Sequence, residues 1–362
     1  MRRLFALLAC LPIPAAAAVA TLEGEILAGP AAVDAAAGTA SAAGRALRLA
    51  DLDRIDLPLA LPAAPGAGLW LADGGWIPGT VRAAAGDDRI VVDGPWGAFT
   101  IPLAAVRAWG DAPAEGARED ELVLDGGVLR GRVEGIRGGA VVVRSVLKPD
   151  PVPLDRIRGL RLAVAVRPPR GTVLTVQPDP ERPPLAVTFR DGAWRPAAAL
   201  DGALPAGDGV PVRVEGPRRG YLSELTPALV EDRGAFGVVW PWQRDRDLDG
   251  GALRLGGRLF PRGIAVHSEA RLQWPLKGQF ARLRGALGIA DLVAPEGDCI
   301  AVIAGDGREL LRHRARGGEP PLPLDIDLAG IQVLELRVEQ GERHDIGDHL
   351  VIADGTLVRL RR

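Results

Sequence analysis

Apolar and polar residues alternate along most of the chain in short runs that glycine and proline interrupt. The runs Leu253–Leu255 and Ile264–Val266 lie on either side of a Gly256-Gly257 pair. A period of two predicts strands, and a glycine pair between such runs favours a tight β-hairpin. His267 follows the second run, at a strand end where polar residues commonly serve recognition or bracing. The pattern predicts an all-β protein.

Two similar copies of a strand pattern lie upstream of this hairpin. Residues 69–109 and 122–160 share the order strand, Asp-Gly-Gly turn, strand, glycine-rich turn, strand and a closing element with a Pro-Leu step. The turns Asp73-Gly-Gly75 and Asp125-Gly-Gly127 call for positive φ angles, which glycine adopts at little cost. A weaker copy is predicted over residues 21–60. Such an internal repeat indicates a modular architecture.

Each copy is too short for one flat sheet to hide its apolar face. We therefore expect small SH3-like or Sm-like β-barrels over residues 66–112 and 118–164. Core packing is the expected role of the tryptophans in these copies, which are Trp70, Trp76, Trp96 and Trp109. The proline-rich residues 165–217 are interpreted as a connecting β segment, with a further β unit or the first part of a C-terminal sandwich as alternatives. Residues 218–362 hold a series of short strand patterns and no helical one, which favours a two-sheet sandwich.

The first twenty residues have the features of a secretory signal peptide. A basic Met1–Arg3 start precedes the apolar run Leu4–Ile13 and the small-residue site Ala18–Ala20. Leu7–Cys10 also fits a lipoprotein box, the less favoured alternative. The apolar run is too short to span a bilayer stably. We expect an exported protein, secreted or in the periplasm or cell envelope, with no transmembrane segment.

Composition excludes several function classes. The net charge of −2 gives no general attraction to nucleic acid or to an anionic membrane. Of the two cysteines, only Cys299 follows the predicted signal peptide, so stability must come from hydrophobic cores and not from disulfides. The chain has no G-x-S-x-G, H-E-x-x-H, Walker or paired-cysteine motif. We therefore expect no catalytic residues and no enzymatic activity.

The C-terminal sequence resembles the NPCBM family, a carbohydrate-binding module type associated with family 98 glycosyl hydrolases. The matching residues occur in order over about residues 218–361; they include Tyr221–Leu225, Leu255–Phe260, Arg262–Ser268, Val302–Leu310, Leu324–Gly330 and Asp345–His349. The resemblance implies a galactose-binding-like jelly roll that binds a polysaccharide or another glycan. Val351–Asp354 lacks an aromatic residue that the family usually has near this end.

Sugars are bound by aromatic faces and by planar polar groups that reach hydroxyls. Side chains of these kinds in the predicted loops and strand ends form the candidate ligand-binding set, which is Trp240, Trp242, Arg244, Asp245, His267, Arg316, Asp345, Asp348 and His349. For the two tryptophans, packing at the end of the sandwich remains an alternative. For His267, the alternative is a structural bond to a carboxylate such as Asp348 or Asp354.

Asp245–Gly250 resembles the first half of a calcium loop. Gly256 stands where an EF-hand requires glutamate, so no cofactor is expected beyond an optional structural calcium. The sequence thus favours an exported, non-catalytic carbohydrate-binding protein. The alternative is a cell-envelope scaffold that binds proteins, including other envelope proteins, and has no affinity for sugar.

Overall fold

A computed structural model describes residues 17–29, 31–34, 37–62, 66–110, 112–113, 117–146, 150–177, 179, 181–198, 200–233, 239–342 and 344–361. The chain divides into two compact units, Ala16–Gly216 and Pro217–Arg362. Regular structure in the described residues consists of β-strands and short 3-10 turns. The all-β fold predicted from the alternating pattern is confirmed.

The described residues of the first unit form twenty-one strands. Their bounds are β1 Ala17–Thr21, β2 Ile26–Ala28, β3 Ala31–Asp34, β4 Thr39–Ala42, β5 Arg45–Arg48, β6 Leu52–Leu59, β7 Gly68–Leu71, β8 Trp76–Pro78, β9 Thr80–Ala84, β10 Arg89–Gly94, β11 Gly97–Pro102, β12 Val106–Trp109, β13 Asp120–Leu124, β14 Gly127–Arg137, β15 Ala140–Arg144, β16 Val152–Pro153, β17 Ile157–Arg161, β18 Val173–Val176, β19 Leu185–Arg190, β20 Ala193–Pro196 and β21 Ala206–Glu215. The 3-10 turns of this unit are Leu49–Asp51, Leu103–Ala105 and Leu154–Arg156.

The two repeat copies share the same strand pairing. In the first copy β7 pairs with β8 across the Asp-Gly-Gly turn and with the closing strand β12. In the second copy β13 pairs with β14 across the matching turn and with the closing strand β17. Because β12 also pairs with β17, the two copies join in one eight-stranded sheet, in the order β16-β15-β14-β13-β17-β12-β7-β8. The copies are thus joined edge to edge by their last strands.

Strands from before and after the two copies join in one seven-stranded sheet, whereas β3, β4 and β5 form a separate three-stranded sheet. Strands β1, β2 and β6 from the N-terminal side pair through β21 with β18, β19 and β20. The sequence pattern treats residues 21–60 as a separate β unit and 165–217 as a connector, whereas in the structure strands from both ranges pair in one sheet. The pairing of β6 with β21 joins strands about 150 residues apart, and local alternation carries no information about such a partner. One hydrophobic cluster runs from Val19 to Val214.

The tryptophans of the repeat copies are buried, as the packing interpretation predicts. The Arg182 guanidinium lies over the rings of Trp70 and Trp76, at 5.6 and 5.2 Å from their centroids. Arg182 also donates a hydrogen bond to the carbonyl of Gly66. The proline-rich segment thus contributes to the packing around the first copy through a cation–π contact.

The start of β1 overlaps the end of the predicted signal peptide. Residues 1–16 lie outside the described part of the chain, so the signal-peptide and lipoprotein predictions remain predictions. Val19 and Ala20 are buried in β1, which pairs with β2 on one side and β6 on the other. None of the helices in the described residues has the length and apolarity to cross a membrane.

The second unit is a two-sheet sandwich. Its strands are β22 Arg219–Tyr221, β23 Leu229–Asp232, β24 Gln243–Arg244, β25 Leu253–Leu255, β26 Arg258–Phe260, β27 Gly263–Val266, β28 Ala270–Pro275, β29 Phe280–Ile289, β30 Asp298–Gly305, β31 Arg308–Arg316, β32 Leu322–Asp327, β33 Val333–Gln340 and β34 Leu350–Arg359, and its 3-10 turns include Leu222–Glu224 and Asp291–Val293. One sheet has the order β24-β27-β34-β29-β32, with β22 also paired to β34, and the other has the order β23-β28-β33-β30-β31.

The core of the sandwich lies between these sheets. It combines side chains such as Leu283 and Ile352 from the first sheet with Trp274 and Leu336 from the second, all nearly inaccessible to solvent. Burying a side chain of this size contributes about 1.5–3 kcal/mol. Cys299 belongs to this core, and burial raises the pKa of its thiol.

The glycine-pair hairpin forms as the pattern predicts. β25 and β26 pair across Gly256 and Gly257, which have φ angles of +61° and +74°. The Asp291 carboxylate accepts hydrogen bonds from both glycine N–H groups, at 2.7 and 2.8 Å. A Cβ atom on Gly256 would lie 2.8 Å from the Pro321 ring, whereas nothing lies within 4 Å of one on Gly257.

This difference predicts unequal costs for two neighbouring substitutions. Both Gly256→Ala and Gly257→Ala place a side chain in the left-handed region, which costs on the order of 1 kcal/mol. Gly256→Ala adds a steric clash with Pro321, so it should lower the free energy of unfolding by about 1–2 kcal/mol more than Gly257→Ala. Urea denaturation of the full chain measures both values; equal costs would contradict the hairpin geometry.

Candidate functional site

Two strand ends bring two buried histidines face to face. β27 and β34 are antiparallel neighbours, and Val266 pairs with Leu350 at the end of their ladder. His267 follows β27 and His349 precedes β34, so the register places the two side chains opposite each other. Their ring centroids are 5.7 Å apart, and the residues are 3% and 6% exposed.

Trp240 covers this histidine pair. Its ring lies 5.9 Å from that of His267 in a stacked arrangement and 5.5 Å from that of His349 at a tilted angle. Trp240 reaches this position because β24, which begins at Gln243, pairs with β27. Trp240 remains 36% exposed, so the indole is accessible to solvent while the imidazoles beside it are not. We refer to Trp240, His267 and His349 as the Trp–His cluster.

Several polar atoms of this region are buried and have no hydrogen-bond partner in the described part of the chain. They include Nδ1 of His267, Nδ1 of His349 and Oδ1 of Asp232. A buried polar atom without a partner costs about 1–3 kcal/mol, and sites that bind polar ligands or water commonly carry such atoms. The Trp–His cluster therefore offers unused hydrogen-bonding capacity beneath an accessible aromatic ring.

Two carboxyl groups adjoin the cluster. Asp232 ends the edge strand β23, and burial raises the pKa of its carboxyl, opposed by the charge of His267. Asp348 is completely buried beside His349, and its Oδ1 accepts a hydrogen bond from the N–H of Asp298 at 2.8 Å. Burial raises the pKa of Asp348 as well. Desolvation disfavours the charged form of both groups, so each would gain from a hydrogen-bond donor or a cation.

The pKa of His349 is lowered. Burial is the main cause, and the neighbouring His267 adds to it. The carboxylates of Asp249 and Asp247 act in the opposite direction. Asp247 is itself buried, and its Oδ1 accepts a hydrogen bond from the N–H of Gly251 at 2.6 Å, whereas Asp249 is exposed. The environment of His349 therefore favours a neutral imidazole, which has one donor and one acceptor nitrogen.

The loop before β34 is held by Asp298. The Asp298 carboxylate accepts two hydrogen bonds from the Arg314 guanidinium, one of them at 2.6 Å, and a third from the N–H of Glu342 at 3.2 Å. The Arg314 bond is the largest cause that lowers the pKa of Asp298 to about 2. Through its own N–H, Asp298 also binds Asp348. This residue thus positions the segment that carries His349.

Among the residues predicted from sequence, Trp240, His267, Asp348 and His349 come together at this site. Trp242 packs against the core of the sandwich and carries the Arg244 guanidinium over its ring at 4.9 Å. Asp245 accepts hydrogen bonds from the N–H of Gly263 at 2.9 Å and from Arg262 at 3.1 Å. Asp245 therefore braces β27 within the fold.

The remaining two candidates, Arg316 and Asp345, make their contacts outside the Trp–His cluster. Arg316 ends β31 and forms ion pairs with Glu319 at 3.6 Å and Asp298 at 3.9 Å. Asp345 lies in the turn before β34, where its carbonyl accepts a long hydrogen bond from the N–H of Asp348. In the described residues no group of three or more His, Cys, Asp or Glu side chains is arranged to hold a metal ion. The optional calcium of the sequence interpretation remains untested.

Sequence reasoning missed Asp232, Asp247 and Asp249 as neighbours of the histidines. Asp232 comes from the opposite sheet from His349, and nothing in the local pattern of β23 connects it with the hairpin that follows. The sequence pattern interprets Asp247 and Asp249 as part of a half calcium loop and of the NPCBM resemblance, but not as site residues. Both residues follow β24 closely in the sequence, and β24 pairs with β27, the strand that ends just before His267. This closeness in sequence is the one feature that points to a position near the histidines.

Comparison with known families identifies the second unit. Residues 218–358 match the model of the NPCBM/NEW2 domain. The C-terminal unit is an NPCBM/NEW2 domain. The resemblance seen in the sequence is therefore confirmed, and the unit has the family and the all-β fold of a carbohydrate-binding module.

Part of the chain is also similar to a curated protein. It is 26% identical over 91 residues to a protein of Renibacterium salmoninarum whose name describes it as a candidate endo-alpha-N-acetylgalactosaminidase. The match covers 25% of this chain and 6% of that relative, so the chain spans a small fraction of the relative's length.

Solved structures similar to the chain are CBM51 modules. CBM51 from Clostridium perfringens GH95 in complex with methyl-galactose is 20% identical, with 38% of this chain and 99% of that chain covered and a TM-score of 0.35. A structure of CBM51-2 in complex with GlcNAc and INT domains from Clostridium perfringens ZmpB is 19% identical, with 43% and 36% covered and a TM-score of 0.36. The tandem CBM51 modules of Sp3GH98, the family 98 glycoside hydrolase from Streptococcus pneumoniae SP3-BS71, are 12% identical, with 81% and 88% covered and a TM-score of 0.35.

The lowered pKa of His349 predicts a loss of stability at mildly acidic pH. The unfolded chain binds a proton to this imidazole more readily than the folded NPCBM/NEW2 domain does, so the free energy of unfolding falls as pH drops from about 6.5 through the lowered pKa. The raised pKa values of Asp232 and Asp348 act the other way, because each carboxyl adds stability as pH falls through its raised pKa towards about 4.

The variant His349→Gln should lose much of this dependence, and His313→Gln should retain it. His313 lies on β31, so this control makes the same chemical change outside the Trp–His cluster. Urea unfolding of the full chain at about pH 7.5 and pH 5 measures the effect. An equal acid-induced loss in wild type and His349→Gln would contradict the assignment.

The ion pair of Asp298 predicts a second pH effect. Because its folded pKa is lowered, the carboxylate contributes stability that is fully present above about pH 4 and is lost as pH falls through about 2. Asp298→Asn should therefore lower the free energy of unfolding by about 1–3 kcal/mol at neutral pH and remove this acid dependence. Glu342→Gln is the control, since Glu342 binds the same Arg314 but is exposed. Equal losses in the free energy of unfolding from Asp298→Asn and Glu342→Gln would contradict the conclusion that burial makes the Asp298 ion pair the more stabilising one.

Proposed function

We propose that the protein is an exported, non-catalytic carbohydrate-binding protein that recognises a glycan at the Trp–His cluster of its NPCBM/NEW2 domain. The family of the domain supports binding of carbohydrate. The absence of hydrolase motifs from the sequence supports the non-catalytic part, and the signal-peptide pattern of residues 1–20 supports export.

The observation that carries the proposal is the accessible indole of Trp240 beside buried, unpartnered polar atoms. A pyranose has an apolar C–H face, which packs on aromatic rings, and hydroxyls, which need hydrogen-bond partners when they leave water. Trp240 supplies the ring, and Nδ1 of His267 and of His349 supplies polar atoms without protein partners in the described chain. A sugar seated against the indole would satisfy the first requirement and would lie beside the histidine pair.

A scaffold function is the second candidate, and a cavity in the first unit favours it. This cavity has a volume of about 1040 Å³ and lies between the two repeat copies. Leu103 and Val106 of the first copy line it together with Val133 of the second, and the exposed Val146 and Arg132 lie at the same cavity. A partner protein bound there would not need the Trp–His cluster, so the two functions can be tested separately.

Removal of the indole should weaken glycan binding. Methyl-galactose and GlcNAc, which are bound in two of the similar CBM51 structures, are suitable first probes, followed by a set of polysaccharides. Aromatic stacking contributes about 0.5–1.5 kcal/mol beyond the apolar area it buries, and the buried area adds to this, so Trp240→Ala should weaken binding by at least about ten-fold. Isothermal titration and affinity electrophoresis of the full chain measure the change.

The matched control is Phe189→Ala. Phe189 is also partly exposed, at 45%, but belongs to the first unit. Its loss should leave glycan affinity unchanged. Retention of full affinity by Trp240→Ala would exclude the Trp–His cluster as the site, and the absence of binding to every glycan would leave the scaffold function as the better account.

A further inference from the structure

Hydrogen bonds brace the cavity between the two repeat copies of the first unit. Asp88 of the first copy accepts a hydrogen bond from the N–H of Ile136 at 2.8 Å and donates its own N–H to the Ile136 carbonyl at 3.0 Å. The Asp120 carboxylate accepts hydrogen bonds from the N–H of Val133 at 2.8 Å and of Ala163 at 2.7 Å. The two aspartates line the cavity and hold its walls in place. A cavity shaped in advance lowers the entropic cost of binding.

Three of the four acidic side chains that line this cavity already have partners. The two bracing aspartates bond backbone N–H groups, and Asp88 also forms an ion pair with Arg137 at 3.3 Å. Glu134 forms an ion pair with Arg144 at 3.2 Å. Glu119 is exposed and is the one lining carboxylate with no partner among the described residues. Little negative charge is therefore left to repel an anionic ligand.

The arginines that line the cavity are less fully paired. Arg130 binds Glu121 at 3.0 Å, and Glu121 also binds Arg161 at 2.9 Å, so two guanidinium groups share one carboxylate. Arg118 and Arg132 are exposed and form no ion pair within the part of the chain that the structure describes. A guanidinium group binds a carboxylate through two parallel hydrogen bonds. These two arginines give the cavity a capacity for carboxylates.

The apolar part of the lining is aliphatic. Val146 is 99% exposed and Val164 is 42% exposed, and Leu162 lies at the same cavity. None of the described lining residues is aromatic, so the cavity offers no ring on which a sugar would pack. Its volume of about 1040 Å³ is at the upper end of the range of small-molecule pockets and leaves room for several side chains. Aliphatic walls beside arginines favour a peptide over a glycan.

We propose that this cavity binds a short segment of a partner protein that combines acidic and aliphatic side chains. Carboxylates of the segment bind Arg118 and Arg132, and its aliphatic side chains cover Val146 and Val164. This inference rests on the second candidate function, a scaffold role, because it assigns a class of partner to the cavity. It does not involve the Trp–His cluster.

Both kinds of contact are needed for recognition. A single ion pair at an exposed position has a small effect on affinity, because water and salt screen it. Two arginines acting on one segment, together with burial of aliphatic side chains, give a larger combined effect. The binding should therefore depend on the charge of the segment and on the apolar wall.

The charge requirement is tested with two labelled six-residue peptides, one of alternating glutamate and valine and one of alternating glutamine and valine. Fluorescence anisotropy with the full chain near neutral pH and at low salt should show about ten-fold tighter binding of the glutamate peptide. Arg118→Gln with Arg132→Gln should remove this difference. Arg170→Gln with Arg308→Gln makes the same change in net charge at exposed arginines outside the cavity and should preserve it.

The apolar requirement is tested with one exposed valine. Val146→Ser should weaken binding of the glutamate peptide by about three-fold or more, because the peptide then covers less apolar surface. Val128→Ser is the matched control, since Val128 is also exposed, at 48%, but does not line the cavity. Equal affinities of the two variants would overturn the assignment of the apolar wall.

The remaining outcomes separate this inference from glycan binding. A wild-type chain that binds neither peptide, or both equally, overturns the inference and leaves the Trp–His cluster untouched. A preference for glutamate that persists in the Arg118→Gln, Arg132→Gln double variant overturns it as well, since charge elsewhere then explains the binding. A galacturonic acid tetramer that displaces the peptide at equal concentration would assign the cavity to acidic sugars instead. Trp240→Ala should leave peptide affinity unchanged.

Discussion

The pairing of β27 with β34 positions the side chains on which the candidate site depends. Antiparallel register brings Val266 opposite Leu350, so His267 and His349 meet where the ladder ends. A shift of one residue would exchange the two faces of the strand and bury different side chains. Hydrogen bonds hold this register at both ends of the ladder. At one end Asp245 accepts hydrogen bonds from Gly263 and Arg262. At the other end, before β34, Asp298 donates a hydrogen bond to Asp348. The site is thus a consequence of the sandwich.

Burial and charge act together at this position. The histidines pack beneath Trp240 with polar atoms that lack protein partners, which is unfavourable for the empty fold. Burial also raises the pKa of the Asp232 carboxyl. The energy lost here is offset by the large core between the sheets, where residues such as Trp274 are completely buried. A local loss of stability that the rest of the fold offsets is typical of binding sites.

The sequence was informative where structure is local. Alternation and the Gly256-Gly257 pair predicted the hairpin, and the two Asp-Gly-Gly turns predicted the repeat, because turn chemistry is set within a few residues. Pairing of β6 with β21 could not be predicted, since strands of similar pattern are interchangeable until the whole sheet forms. For the same reason Asp232 was missed. Asp245 was assigned to the ligand, although its carboxylate is used by the fold.

Proton NMR of the histidine rings tests the central claim most directly. The chain has only four histidines, so the signals of His267, His313, His344 and His349 can be assigned with single glutamine variants. We expect a glycan that binds the chain to shift the signals of His267 and His349 and to leave those of His313 and His344 in place. Shifts confined to His313 or His344, or binding with no shift at all, would contradict glycan recognition at the Trp–His cluster.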